Sequence, residues 1–173
     1  MPVACAGMVR SHRNIQEKHS HTMNEIEQAQ NEIVEEFEDC LDWEDRYQRI
    51  IDCGKQHPDI PEEFKVEKYR VKGCQSTVYL HAELDGDRVK LEATSDALIV
   101  KGLVSLLLRV YNNRRPEEIL ASPPDFVQKI GLSQNLSQGR ANGLASMIQQ
   151  VQLYAQAFTI LRKAQQQGGS HHV

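Results

Sequence analysis

One cysteine, Cys74, sits between a glycine and a glutamine in the stretch RVKGCQSTVYL, Arg70 to Leu80, just ahead of a strand-like alternation. A thiol can act as a metal ligand, as half of a disulfide, or as a nucleophile, and the first two uses need partners. The chain has four cysteines, Cys5, Cys40, Cys53 and Cys74, and no two of them form CxxC or any zinc-like spacing. Gly73 lets the backbone turn without a Cβ penalty, so the neighbouring thiol can stand at a loop tip. Lys72 adds a positive charge nearby, which favours the thiolate, the nucleophilic form. Spacing alone fits this reading and, about as well, a small apolar side chain filling space. Cys40 and Cys53 fall in helical segments among apolar neighbours, where filling space is the better reading.

Other polar residues compete for roles. His81 lies on the polar side of the strand pattern, roughly 20 Å of extended chain beyond Cys74, and reads as a surface histidine rather than a base for the thiol. Asp96 precedes a helical stretch and fits a helix N-cap. Arg140 opens the last helix and on its own reads as a solvated charge. Gly102 in the central helix predicts close packing there, with Lys101 snorkelling outward. The chain contains no GxGxxG and no GxxxxGK[ST] phosphate loop.

These residues must be positioned by the elements around them. From Met23 the residues Ile26, Ala29, Gln30, Ile33, Val34 and Phe37 follow helical steps, with Thr22 and Glu25 as a capping box. Asp42 before Trp43-Glu44-Asp45 predicts a second helix, striped by Trp43, Tyr47, Ile50 and Ile51 and ending near Gly54. Tyr69 and Val71 alternate before the cysteine. Val78, Leu80, Ala82 and Leu84 then share one face, and Val89, Leu91 and Ala93 continue it after an Asp85-Gly86-Asp87 turn. The expectation is a small antiparallel sheet of three strands. Ser95 or Asp96 starts a helix from Ala97 to about Asn112 that is apolar nearly all round and so should be central. Short helical turns start at Pro116 and at Pro123-Pro124. Ser137 can cap a final long helix striped by Leu144, Met147, Ile148, Val151, Tyr154, Ala155 and Phe158. Helices, sheet, helices is the order of an α+β domain.

Composition bounds the rest. The chain has 173 residues, 40% hydrophobic and 25% charged, ordinary for one globular domain with terminal extras. Residues 23–164 form the expected domain, 1–22 a polar, disordered leader that holds Cys5, and 165–173 a flexible tail. A net charge of -4 supplies no global basic field for nucleic acid or anionic lipid. No apolar run approaches the roughly 20 residues of a membrane helix. Without a secretory h-region, the expected compartment is the reducing cytoplasm, with the cysteines as thiols.

Several separated motifs now converge. Arg70-Val71-Lys72-Gly73-Cys74-Gln75-Ser76, then Ser95-Asp96-Ala97 through Lys101-Gly102-Leu103, then Leu132-Ser133-Gln134-Asn135-Leu136 before Arg140 and Gly143-Leu144, resemble the SufE family of sulfur-acceptor proteins. Trp43-Glu44-Asp45-Arg46-Tyr47 is similar to that family's first helical landmark. The resemblance covers about Glu32 to Phe158. It implies a fold shared with IscU-type scaffolds, an antiparallel sheet packed by helices. It also implies a partner, a pyridoxal-phosphate cysteine desulfurase that holds sulfur as a persulfide, with no cofactor bound by the chain itself. Cys74 would accept that sulfur, stimulate the desulfurase and pass the sulfur to an iron–sulfur scaffold of the SufBCD kind. By the same resemblance Lys72, Gly73, Gln75, Asp96 and Arg140 would support the loop or face the desulfurase, and no metal site is implied. The competing reading is an IscU-type cluster scaffold, which needs about three thiolate ligands.

Overall fold

The computed structural model describes residues 23–168. Helix α1 (Glu25–Glu38) starts at Asn24, whose side chain accepts from the Glu27 amide at 2.8 Å while the Glu27 carboxylate accepts from the Asn24 amide at 3.2 Å. This capping box replaces the expected pairing of Thr22 with Glu25; Thr22 lies outside the described residues. Glu25 is engaged elsewhere, by Arg88 at 2.8 Å and Arg114 at 3.0 Å. Helix α2 (Trp43–Gln56) begins as its acids predict, with the Asp42 side chain accepting from the Asp45 amide.

Strands β1 (Val78–Asp85) and β2 (Arg88–Ser95) form an antiparallel hairpin, in register from Val78 opposite Ser95 to Asp85 opposite Arg88. Gly86, at φ +62°, makes the turn. Val78, Leu80, Leu91 and Ala93 are buried on one face of the hairpin, and helix α3 (Leu98–Tyr111) packs on it. The sheet has two strands rather than the three expected. Glu62–Phe64 and Glu67–Tyr69 form single 3₁₀ turns, and only Arg70 bridges to Tyr79, with the Val71 amide donating to the Val78 carbonyl at 2.9 Å. The chain turns away at Gly73, φ +86°, so too few residues run beside β1 to build a ladder.

Helix α3 is buried on nearly every side and crosses α2 at two glycines. A Cβ on Gly102 would stand 2.0 Å from the Ile50 carbonyl oxygen, and one on Gly54 2.3 Å from the Leu98 carbonyl oxygen. The two backbones therefore touch, which is the close packing that Gly102 predicts. Gly54 lies inside α2 rather than ending it. The short helices α4 (Pro116–Ala121), α5 (Phe126–Lys129) and α6 (Leu132–Asn135) lead to α7 (Gln138–Gly168). Buried Gln30 fastens α1 to this connection, donating to the Pro123 carbonyl at 3.1 Å and accepting from the Phe126 amide at 3.0 Å.

Helix α7 has 31 residues, about 46 Å at the standard rise. Leu144, Met147, Val151 and Ala155 are its buried stripe, packed on α3, α4 and β1. It continues through Gly168, so residues 165–168 of the expected tail are helical. The leader, 1–22, and residues 169–173 lie outside the described residues. Among the described residues no helix is long and apolar enough to cross a membrane. The architecture is α+β, with α3 at the centre and the hairpin and α7 flanking it.

Candidate functional site

The loop that carries Cys74 is pinned at both legs. On one side the Val71 amide bonds to the Val78 carbonyl. On the other the Asp96 carboxylate accepts from the Thr77 amide at 3.0 Å, and the Asp96 amide donates to the Thr77 carbonyl at 3.2 Å. Asp96 is thus not the helix cap that its position suggests. Ala97 occupies the cap position of α3 without a side-chain bond, and the Ser95 hydroxyl takes the Ala97 amide at 3.2 Å. Asp96 spends its carboxylate on the loop instead, because Ser95 and Asp96 end β2 directly opposite the loop's exit.

Between these ties, residues 72–76 lie along α7. A Cβ on Gly73 would meet the Ser146 hydroxyl at 2.6 Å, and a Cβ on Gly139 would meet the Gln75 amide oxygen at 2.2 Å. A Cβ on Gly143 would touch the Cys74 sulfur at 3.4 Å. Gly139, Gly143 and Ser146 follow helical spacing, so small residues on one side of α7 form the seat of the loop. The Cys74 thiol is half-buried there and donates to the Gly143 carbonyl at 3.5 Å. It faces a cavity of about 340 Å³ lined also by Gln75, Val100, Arg140, Leu144 and Met147.

Burial pushes the Cys74 thiol above its ordinary pKa. Lys72 does not offset this as its position suggests. Its ammonium pairs with Glu67, which also draws Arg70 at 3.6 Å. In this tucked arrangement burial disfavours the thiolate, the nucleophilic form of Cys74.

Arg140 sits at the cavity, its guanidinium carbon 5.5 Å from the centre of the Tyr47 ring. Trp43 meets the same ring edge-on at 6.4 Å. His81 stands apart from the site and is not a surface histidine: it is 7% exposed. Its ring stacks on Phe64 at 3.8 Å and meets Tyr69 edge-on at 4.9 Å, with Nδ1 3.4 Å from a Glu92 carboxylate oxygen. The 3₁₀ segment folds over the second face of the hairpin and covers this histidine.

Cys40 and Cys53 line a different cleft, beside Asp45, Arg49 and Asp52. Cys40 is buried, and burial pushes the Cys53 thiol up. Among the described residues no three His, Cys, Asp or Glu side chains gather as metal ligands would. Sequence reasoning did not find Gly139, Gly143 and Ser146, nor the tie from Asp96 to Thr77. The one available signal is the cluster of small residues in QGRANGLAS, at the flank of the apolar stripe of α7.

Comparison with known proteins places this chain in a wider group. Residues 31–155 match the model of the SufE family, an Fe–S metabolism associated domain. An uncharacterized SufE-like protein of Rhizobium meliloti is 38% identical over 131 residues, covering 73% of this chain and 94% of that protein. SufE-like protein 1, chloroplastic/mitochondrial, of Arabidopsis thaliana is 35% identical over 75% of this chain, a match that takes in 35% of the plant protein. The solution structure of a hypothetical protein from Thermus thermophilus superposes with a TM-score of 0.62 at 25% identity, covering 79% of this chain and 96% of that one.

Proposed function

The chain belongs to the SufE family, whose domain is associated with iron–sulfur metabolism, and on that premise we propose that it is a sulfur carrier with Cys74 as the acceptor. The donor is a pyridoxal-phosphate cysteine desulfurase, which keeps that cofactor on its own chain, and the recipient is an iron–sulfur scaffold of the SufBCD kind. The carrier stimulates the desulfurase by emptying its persulfide and is not a stand-alone enzyme. The likeness to IscU-type scaffolds goes with this reading of the fold. So does a reducing cytoplasmic setting, which suits the free thiols of Cys40, Cys53 and Cys74.

The observation that carries the proposal is a thiol on a pinned loop, seated over a cavity that no other cysteine among the described residues lines. Sulfur transfer needs this and little more. The Cys74 thiolate attacks the outer sulfur of the donor persulfide. A new S–S bond forms to Cys74, the donor's S–S bond breaks, and its cysteine leaves as a thiolate, with no net oxidation. A second thiol within reach would attack the loaded persulfide, close a disulfide and expel sulfide. Cys40 and Cys53 stand in another cleft, which suits a carrier and not a scaffold that must gather three thiolates on iron.

Residues around the loop take supporting roles in this proposal. Gly73 allows the turn and Gln75 rests on Gly139. Lys72 is held by Glu67 at the loop's outer edge, Asp96 ties the exit leg, and Arg140 at the cavity meets the desulfurase. Incubation with cysteine and a desulfurase, followed by intact-protein mass spectrometry, tests the assignment. Wild-type protein should gain the mass of one sulfur atom, and Cys74→Ser should gain none and lose stimulation while folding normally. Cys40→Ser and Cys53→Ser should keep most of both. Sulfur loaded onto Cys74→Ser would overturn the assignment.

A further inference from the structure

We propose that Tyr47 is a positioning residue, whose ring presents the Arg140 guanidinium at the Cys74 cavity to a carboxylate of the sulfur-donor protein. The proposal rests on the carrier reading above and deepens it by naming what orients the donor. Trp43 and Tyr47, one turn apart in α2, lie on one edge of that helix, and their rings meet at 6.4 Å. Arg140 projects from the first turn of α7 onto the Tyr47 ring at 5.5 Å, within range of a cation–π contact. All three side chains are half-buried, so each keeps a face open to a partner.

The electrostatics set Arg140 apart from most of the other arginines. Arg49 likewise lies over a ring, that of Phe37 at 5.9 Å, but does not line the Cys74 cavity. Arg88, Arg109, Arg114, Arg115 and Arg162 each pair with a carboxylate within 3.0 Å. Arg46, the neighbour of Tyr47, donates to the Ile130 carbonyl at 2.9 Å. Among the described residues no carboxylate pairs with Arg140; its partner is an aromatic ring, which orients the guanidinium without neutralising it. A planar carboxylate is the natural complement to a guanidinium held this way. Tryptophan, tyrosine and arginine are also the residue types that dominate interface hot spots. This cluster borders the cavity that holds the reactive sulfur, so a donor gripping Arg140 is aligned on Cys74.

Holding a long side chain in place before binding removes an ordering cost equivalent to roughly two- to tenfold in affinity. Tyr47→Leu should therefore raise the protein concentration that half-saturates desulfurase stimulation by about that factor and leave maximal stimulation unchanged. Tyr47→Phe keeps the ring and should match wild type. In an Arg140→Ala background Tyr47→Leu should add nothing further, because the ring acts through the guanidinium. Unchanged half-saturation in Tyr47→Leu, or an equal loss with and without Arg140, would overturn the proposal. So would failure of Tyr47→Leu to accept sulfur on Cys74 from a small-molecule persulfide, since the ring would then support the loop. Failure of the wild-type protein itself to take sulfur from the desulfurase would strike the carrier reading instead.

Discussion

Gly73→Ala should loosen the cysteine loop and leave the rest of the domain intact. Gly73 adopts φ +86°, a left-handed conformation that costs an L-residue about 1–2 kcal/mol. Its new methyl group would also lie 2.6 Å from the Ser146 hydroxyl. That contact is the cheaper of the two, because a serine side chain can turn away, so backbone strain dominates. A released loop relieves the strain. The equilibrium between tucked and released states then shifts by the same 1–2 kcal/mol, roughly 5- to 30-fold at 25 °C.

Alkylation of Cys74 by iodoacetamide reads this shift directly. In the tucked state the sulfur lies against the Gly143 carbonyl and burial raises its pKa, which lowers the thiolate fraction below that of an ordinary cysteine. Reaction therefore proceeds mainly through the released loop, and its rate should rise 5- to 30-fold in the variant. Peptide mass mapping separates Cys74 from half-buried Cys53. Adding Ser146→Ala should leave the acceleration in place, because it removes the contact and not the strain. An unchanged Cys74 rate, or an equal acceleration at Cys53, would refute a local latch.

Three further outcomes follow from the same geometry. Asp96→Ala removes the acceptor of the Thr77 amide, an exposed bond of about 1 kcal/mol. Calorimetry should show Tm lower by about 2–4 °C and alkylation of Cys74 faster, whereas Asp96→Asn, which keeps an acceptor oxygen, should do less. Gly102→Ala sets a methyl group 2.0 Å from a backbone carbonyl, so α2 and α3 must separate. A loss of about 3 kcal/mol or more in urea unfolding is expected, and a loss under 1 kcal/mol would show that the crossing yields. The Asp59 carboxyl is held down to about 2, from 3.8, first by Lys65 and then by the Ile60 amide and Thr94. Its folded value lies below the unfolded one, so its contribution is complete above the unfolded pKa and is lost as pH falls from about 4 to about 2. Asp59→Asn should flatten the stability curve in that window, modestly, because the Asp59 carboxylate is exposed.

Hydrophobic period and turn chemistry made most of the elements legible. The stripe of α1, the acids opening α2, the Asp85-Gly86-Asp87 hairpin and the all-round apolar α3 stand where those signals put them. The miscounted strand has a local cause: Tyr69 and Val71 alternate like a strand, but the chain turns at Gly73 before a ladder can form. His81 misleads for a tertiary reason. Alternation marks its face as polar, and nothing local reports that Phe64 and Tyr69 fold over it. The seat of the loop is least legible of all, because the glycines and the serine that flank the apolar stripe of α7 carry no hydrophobic signal. Their partners lie some seventy residues earlier in the chain.

Asp96 shows what such distant contacts add to function. On the proposed reading a helix cap would have no bearing on sulfur transfer, whereas a tie to Thr77 limits how far the thiol can travel. With Val71 bonded to Val78 on one leg and Thr77 bonded to Asp96 on the other, only residues 72–76 are left to move. Three extended residues on either side give Cys74 a reach of about 10 Å from its anchors. On the proposed carrier reading a donor sulfur would have to come within that distance of the loop neck, where Arg140 lines the same cavity. A short tether and an adjacent orienting charge each narrow the set of productive encounters. Asp96→Ala removes one of the two bonds that hold Thr77 and leaves the Asp96 amide on the Thr77 carbonyl. The exit leg should therefore loosen without being released, giving faster alkylation of Cys74 with poorer stimulation of the desulfurase.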